Sequence, residues 1–202
     1  MIKVQQATTA LIRSFFALPG GPGAPGPRVL VGKPTYKTVN SSGKVVVQIP
    51  YFLPDGVLAE SKINALGIAI TRLYNSLRRQ SPVVVEVRLI RLQYPYLDSS
   101  ILAQYLALNA GKYNFTRMQK MIFSKVPTIK MDTVLPVDAL PSQLTGVKLE
   151  LAGRLTTQRS IPRKTVENGH TGSFTTSKEL NTSLDFSQYA SKNKLNAFTI
   201  KV

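Results

Sequence analysis

Between Asp98 and Asp132 the chain carries no carboxylate, yet Lys112, Arg117, Lys120, Lys125 and Lys130 all fall inside that stretch. Apolar residues recur through it at helical spacing, so no acid on a neighbouring turn can neutralise the cations. The strand-like segment Gly146-Val-Lys-Leu-Glu-Leu-Ala-Gly-Arg-Leu155 follows and leads into a second basic run. A fold built from these pieces leaves a cationic surface unopposed from within. Such a surface repels itself unless a polyanion covers it, and RNA is the natural polyanion.

The whole chain repeats this imbalance, with 26 Lys and Arg against 10 Asp and Glu in 202 residues and a net charge of +16. Lys3, Arg13, Arg28, Lys33, Lys37 and Lys44 all precede the first acid, Asp55, which predicts a basic N-terminal arm. At 43% hydrophobic residues the chain can still bury a core, in one large or two small domains. With no Cys and one His, His170, zinc sites of the Cys/His type, Cys nucleophiles and Ser-His-Asp chemistry through a second His are largely excluded. We expect no metal, cofactor or small-molecule substrate. His170 sits between Gly169 and Thr171 and reads as a solvated or RNA-facing loop residue.

No apolar run reaches the roughly 18 residues of a membrane span. Residues 1–18 are basic, acid-free and partly amphipathic, which suits a mitochondrial transit peptide and an ordered terminal arm equally. The same pattern supports an alternative reading, a peripheral membrane-associated basic protein anchored by this segment. A metal-independent ribonuclease is a weaker rival, because Glu150, Glu167, Glu179 and Asp185 are scattered singly and no His pair exists.

Pro19-Gly-Gly-Pro-Gly-Ala-Pro-Gly-Pro27 cannot hold a helix or a central strand and reads as a linker. Residues 44–53 are β-branched and aromatic, with Pro50 marking an edge or a bulge. Leu58, Ile63, Leu66, Ile70, Leu73, Tyr74 and Leu77 recur at helical spacing, and Arg78 and Arg79 suit that helix's C-terminus. In residues 83–92, Val83, Val85, Val87 and Leu89 alternate with Glu86 and Arg88, the pattern of a half-buried strand ended by Pro95. Asp98 and Ser99 are both good N-caps for a helix through Leu108, with Gly111 as its stop. A second helix spans 115–123, and strands are expected over 147–151, 172–176, 182–189 and 195–202. The architecture is α+β, with a helix-containing first part and a mostly antiparallel sheet at the end.

Arg154, Arg159, Arg163 and Lys164 are interleaved with Thr156, Thr157, Gln158 and Ser160, in a run with no acid between Glu150 and Glu167. Guanidinium and hydroxyl donors at that density match phosphate and sugar contacts, and a solvated loop is the plain alternative. Lys192 and Lys194 near the end are grouped with them. Arg117 and Lys120, three residues apart, share a helix face backed by Met118, Met121 and Ile122, which are expected in the core. Tyr94, Tyr96, Tyr113 and Phe115 flank cations, where base stacking competes with core packing.

Tyr96-Leu-Asp-Ser-Ser-Ile-Leu-Ala-Gln-Tyr105, Lys112-Tyr-Asn-Phe-Thr-Arg-Met-Gln-Lys120, Gly146 to Leu155 as quoted above, and Asp185-Phe-Ser-Gln-Tyr189 with 195–202 follow one another in an order that resembles a known family. It is the family of the third protein of the small ribosomal subunit. Gln158-Arg-Ser-Ile-Pro-Arg-Lys-Thr165 and Tyr94-Pro-Tyr ahead of the first motif are similar to its fungal mitochondrial branch. The resemblance covers roughly residues 83–202. It implies a structural, non-enzymatic constituent of the mitochondrial small subunit, held in the head near the path by which messenger enters. It implies three regions: a basic arm and linker (1–43), a KH-like α/β domain (44–131) and a C-terminal rRNA-binding domain (132–202). The implied partners are small-subunit rRNA, mRNA and neighbouring small-subunit proteins, with no membrane. Arg154, Arg159, Arg163, Lys164, Lys192 and Lys194 become the expected rRNA contacts, and Arg117 and Lys120 the residues facing mRNA.

The family's helix motif is Phe-Arg-Arg-x-x-Lys; Phe115, Arg117 and Lys120 match it, but Thr116 replaces the first Arg and weakens any unwinding role. The KH-type Gly-x-x-Gly loop is not found after a strand. Gly20 to Gly23 and Gly23 to Gly26 have its spacing, but the prolines inside them remove backbone donors. Relatives continue past the last strand with an aromatic residue. Additional residues are therefore expected beyond Val202 or at abrupt junctions such as Asp55-Gly-Val-Leu58.

Overall fold

A computed structural model describes residues 2–17, 29–39, 44–54, 58, 60–77, 84–127, 144–158, 160–161, 163–174 and 184–202. The chain divides into two compact units, Met1–Tyr94 and Pro95–Val202. The helices after Pro95 thus cluster with the C-terminal sheet, whereas the resemblance groups residues up to 131 with the strands before them.

The first unit is built on β3 (Lys44–Phe52), whose near-continuous apolar run is what a strand buried on both faces requires. β1 (Leu30–Val31) and β2 (Thr35–Val39) pair antiparallel with its two halves, and β4 (Val85–Arg91) pairs parallel with it. β3 is therefore central and Pro50 lies inside it. The expected bulge is there: the pairing register slips by one residue between β1 and β2, and Gly32 N donates to the Pro50 carbonyl at 2.9 Å. Carbonyl and nitrogen of one strand residue point the same way, so proline's missing N–H faces the β1 side, next to this break, and the β4 pairing is untouched.

Parallel β3 and β4 need a crossover, and α2 (Glu60–Leu77) supplies it, burying Leu66, Ile70 and Tyr74 over Val45, Val47 and Ile49. Val85, Val87 and Leu89 pack against the same core, as their alternation predicts. Helix α1 (Ile2–Ala17) joins it too, with Ile12 fully buried and Val4, Leu11, Phe15 and Phe16 packed against the cluster. The apolar face that sequence offered to a membrane is spent in the protein's own core. Among the described residues, no helix is long and apolar enough to cross a membrane. The Tyr36 hydroxyl ties α1 to the sheet, donating to the Gln5 carbonyl at 3.1 Å.

The six leading cations are also not all unopposed in space, because Glu86 on β4 pairs with Lys44 and accepts from Arg88 Nε at 2.6 Å. Both contacts favour the ionised carboxylate and hold the Glu86 pKa below its ordinary value. In the second unit, Lys201 Nζ donates to Glu150 at 2.8 Å and depresses that carboxyl in the same way. For a depressed carboxylate the added stability is present above the unfolded value of roughly 4.3 and is lost as pH falls through the lower folded value. Acid unfolding followed by circular dichroism is expected to steepen below about pH 4.3, and Glu150→Gln should flatten that limb. An unchanged acid limb in the variant would remove Glu150 from the account.

The second unit opens with a single 3-10 turn (Pro95–Leu97), then α3 (Ser99–Asn109) and α4 (Phe115–Lys125). Of the two candidate caps Asp98 serves, its Oδ1 accepting from Ile101 N at 2.9 Å, while Asp185 Oδ2 accepts from Ser99 N at 3.1 Å. Two carboxylates thus sit at the positive end of one helix. Strands β5 (Gly146–Ala152), β6 (Val166–Gly172), β7 (Gln188–Lys192) and β8 (Ala197–Lys201) form an antiparallel sheet in the order β6-β5-β8-β7. Val147, Leu149, Leu151, Phe198 and Ile200 meet Leu102, Leu106, Phe115, Met118 and Ile122 in one core. Each fully buried Leu or Ile there is worth about 1.5–3 kcal/mol.

The α+β class stands, but strand positions shift. Residues 166–172, which read as loop and turn, form β6 in full register with β5. The expected strand over 182–189 begins only at Gln188 within the described residues. Gly169 permits one close contact: a Cβ there would come within 2.6 Å of the Gln119 side chain on α4.

Candidate nucleic-acid interface

The loop from β5 to β6 starts at Gly153, whose φ of +113° only glycine adopts without strain. Its N–H donates to the Thr165 carbonyl at 2.8 Å, closing the loop at its neck. Leu155 is fully buried and anchors the near side, and Gln158 N donates back to the Leu155 carbonyl at 3.2 Å. Gln158 Nε2 then donates to Glu167 Oε1 at 3.0 Å. The Gly-Arg-Leu motif is thereby explained: glycine turns, leucine anchors, and arginine stands between them.

Arg154 is half-buried, and its Nη2 donates to the Gln158 carbonyl at 3.1 Å, so this guanidinium braces the loop. Arg163 and Lys164 are exposed, while Arg159 lies outside the described residues. The turn joining β7 to β8 carries Lys192 and Lys194, both exposed. Between them Asn193 accepts from Leu195 N at 2.9 Å and Asn196 N at 2.7 Å, which shapes the turn, and donates from Nδ2 to the Arg154 carbonyl at 2.8 Å. Asn193 therefore joins the two basic segments. Sequence inspection passed over it; an Asn between two lysines in a turn was the available signal.

On α4, Arg117 and Lys120 are exposed on one face while Phe115, Met118 and Ile122 are buried beneath, as the spacing predicted. Met121 departs from expectation: it is 40% exposed and stands on the cationic face, four residues beyond Arg117. The Arg117 guanidinium lies over the Tyr113 ring, 5.0 Å from its centroid. Of the other aromatic residues, Tyr96 and Phe115 are core and Tyr94 is 43% exposed.

His170 is exposed as expected, but on a strand, facing Lys148 across the β5–β6 pair on the sheet face away from the helices. Lys148, a cation the sequence reading did not single out, is exposed beside it; its alternation with Val147 and Leu149 was the signal.

The described acids of this unit are engaged elsewhere than with its exposed basic loops: Asp98 and Asp185 are spent on the α3 N-terminus, Glu150 on Lys201 and Glu167 on Gln158. Among the described residues, Lys112, Arg117, Lys120, Lys148, Arg163, Lys164, Lys192 and Lys194 form no ion pair. No group of His, Cys, Asp and Glu there could hold a metal ion. What the arrangement offers is a set of exposed cations, the chemistry that phosphate groups take.

The family described as Mitochondrial ribosomal protein (VAR1) matches residues 29–202. The small ribosomal subunit protein uS3m of Mycosarcoma maydis is 35% identical over 185 residues, covering 85% of this chain and 66% of that protein. The chain thus spans just under two thirds of that relative's length, and the resemblance read from its motifs is borne out. With the match running through both units, the chain belongs to the mitochondrial ribosomal protein (VAR1) family.

Proposed function

We propose that this chain is a structural constituent of the mitochondrial small ribosomal subunit, binding rRNA in the head and lining the path by which mRNA enters. The observation that carries this reading is the Asn193 bond to Arg154, which gathers two basic loops distant in sequence into one patch. Arg163, Lys164, Lys192 and Lys194 neutralise rRNA phosphates there, and Arg154 braces the loop that presents them; Arg159, outside the described residues, is a further proposed rRNA contact. Among the described residues of the loop nothing fixes a bidentate geometry toward a base edge, so the contacts position and do not read sequence. Neighbouring small-subunit proteins complete its surroundings. Cosedimentation with small-subunit particles in a sucrose gradient of mitochondrial lysate tests the assignment; the protein running free of particles would overturn it.

Arg117 and Lys120 face mRNA in this reading. Changing both to Ala is expected to leave assembly intact, because Phe115, Met118 and Ile122 keep α4 seated. Translation of messages with structure just downstream of the ribosome should slow several-fold relative to unstructured ones, on the scale of about 1 kcal/mol for two exposed cations. Equal relative rates in variant and wild type would make the pair ordinary rRNA contacts.

A further inference from the structure

We infer that Arg117, held over Tyr113, is a stacking platform for an unpaired base of single-stranded RNA. The inference deepens the messenger-facing reading of α4 and rests on it. A guanidinium that served only as a point charge would need no aromatic support, and Lys120, one turn away, has none. Arg117 instead lies 5.0 Å from the Tyr113 centroid, and Tyr113 is itself half-buried against the core, so the ring is a seated base that holds the exposed guanidinium above it. Met121, exposed on the same face, adds a polarisable apolar surface that a phosphate contact would not use and a base would. Lys112 and Lys120 flank the platform, exposed and without ion pairs among the described residues, and supply phosphate contacts on either side. Thr116, uncharged and exposed, stands next to Arg117. The surface is poorer in charge and richer in stacking partners than a phosphate clamp. Bases within a duplex are covered on both faces by their neighbours, so only an unpaired base can occupy such a plane.

The test uses the full chain, a short unstructured oligoribonucleotide carrying 5-bromouridine, and a hairpin with the same number of phosphates. Arg117→Lys keeps the charge and removes the plane. It should lower single-strand affinity by about 5- to 10-fold while leaving hairpin affinity and the salt slope unchanged. Tyr113→Leu should shift the ratio the same way by about 2- to 5-fold, and Tyr113→Phe should retain the wild-type ratio. Photocrosslinks from the single strand should map to residues 113–121 in the wild type and fade in Arg117→Lys. If Arg117→Lys leaves the ratio unchanged while Arg117→Ala weakens both probes equally, the platform is wrong and Arg117 is a simple phosphate contact. If Arg117→Ala alters neither probe, the RNA-facing reading of α4 fails with it.

Discussion

Changing Arg163, Lys164, Lys192 and Lys194 together to alanine is expected to weaken binding of a structured rRNA fragment on the order of a thousandfold at about 0.15 M salt. Each phosphate neutralised releases condensed counterion and adds roughly 0.9 to the log-log salt slope, so four contacts account for a factor of that size. All four side chains are exposed, and none forms an ion pair among the described residues, so the fold should survive and melting should be unchanged. Single changes should each lower the slope by about one unit or less, to similar degrees and whatever the fragment's sequence. A loss concentrated in one residue and dependent on base identity would mean that the loop reads sequence. Asn193→Ala should lower affinity too although it removes no charge, because the Lys192–Lys194 turn loses its tie to the Arg154 carbonyl.

Gly153→Ala is expected to destabilise the second unit by about 2–4 kcal/mol. A Cβ at this residue would lie 2.8 Å from the Ala197 carbonyl oxygen and 2.9 Å from Phe198 Cα, both backbone atoms of β8, at a φ that disfavours any side chain. Relief requires β8 to move, and Phe198 and Ile200 on that strand belong to the core. For a unit of this size the cost translates to a fall in melting temperature of about 10 °C or more. Gly67→Ala in α2 is the control: a Cβ there meets nothing within 4 Å, so the helix should gain about 1 kcal/mol. A Gly153→Ala protein that melts with the wild type would show that the β5–β6 turn tolerates rearrangement.

Elements whose signals are local were legible in advance. The crossover helix α2 follows from apolar spacing that one face can bury, β4 from alternation, α3 from Asp98 at its start, and the buried underside of α4 from Phe115, Met118 and Ile122. The family motif, with Arg117 and Lys120 exposed on α4, was legible for the same reason: three-residue spacing on a helix decides which side chains share a face. β6 was not. Val-Glu-Asn-Gly-His-Thr-Gly has little strand propensity, and it is a strand because β5 offers it a pairing edge and Gly169 leaves room for Gln119 above. Met121 read as core because methionine is apolar; its angular position on α4 placed it among the cations.

By itself the sequence determined the α+β class, the charge excess, the helical face of Arg117 and Lys120, and the poverty of Cys and His that leaves zinc sites of the Cys/His type and Cys nucleophiles without residues. These depend on composition and on spacing within one element. Tertiary structure alone decided that α1's apolar face turns into a core, that Lys44 meets Glu86, and that Asn193 brings Lys192 and Lys194 beside the Arg154 loop. It also decided which acids would be consumed at helix ends and in strand pairs. The physical reason is range: a contact between residues far apart in sequence is set by which surfaces compete to be buried, and no local pattern encodes the outcome of that competition.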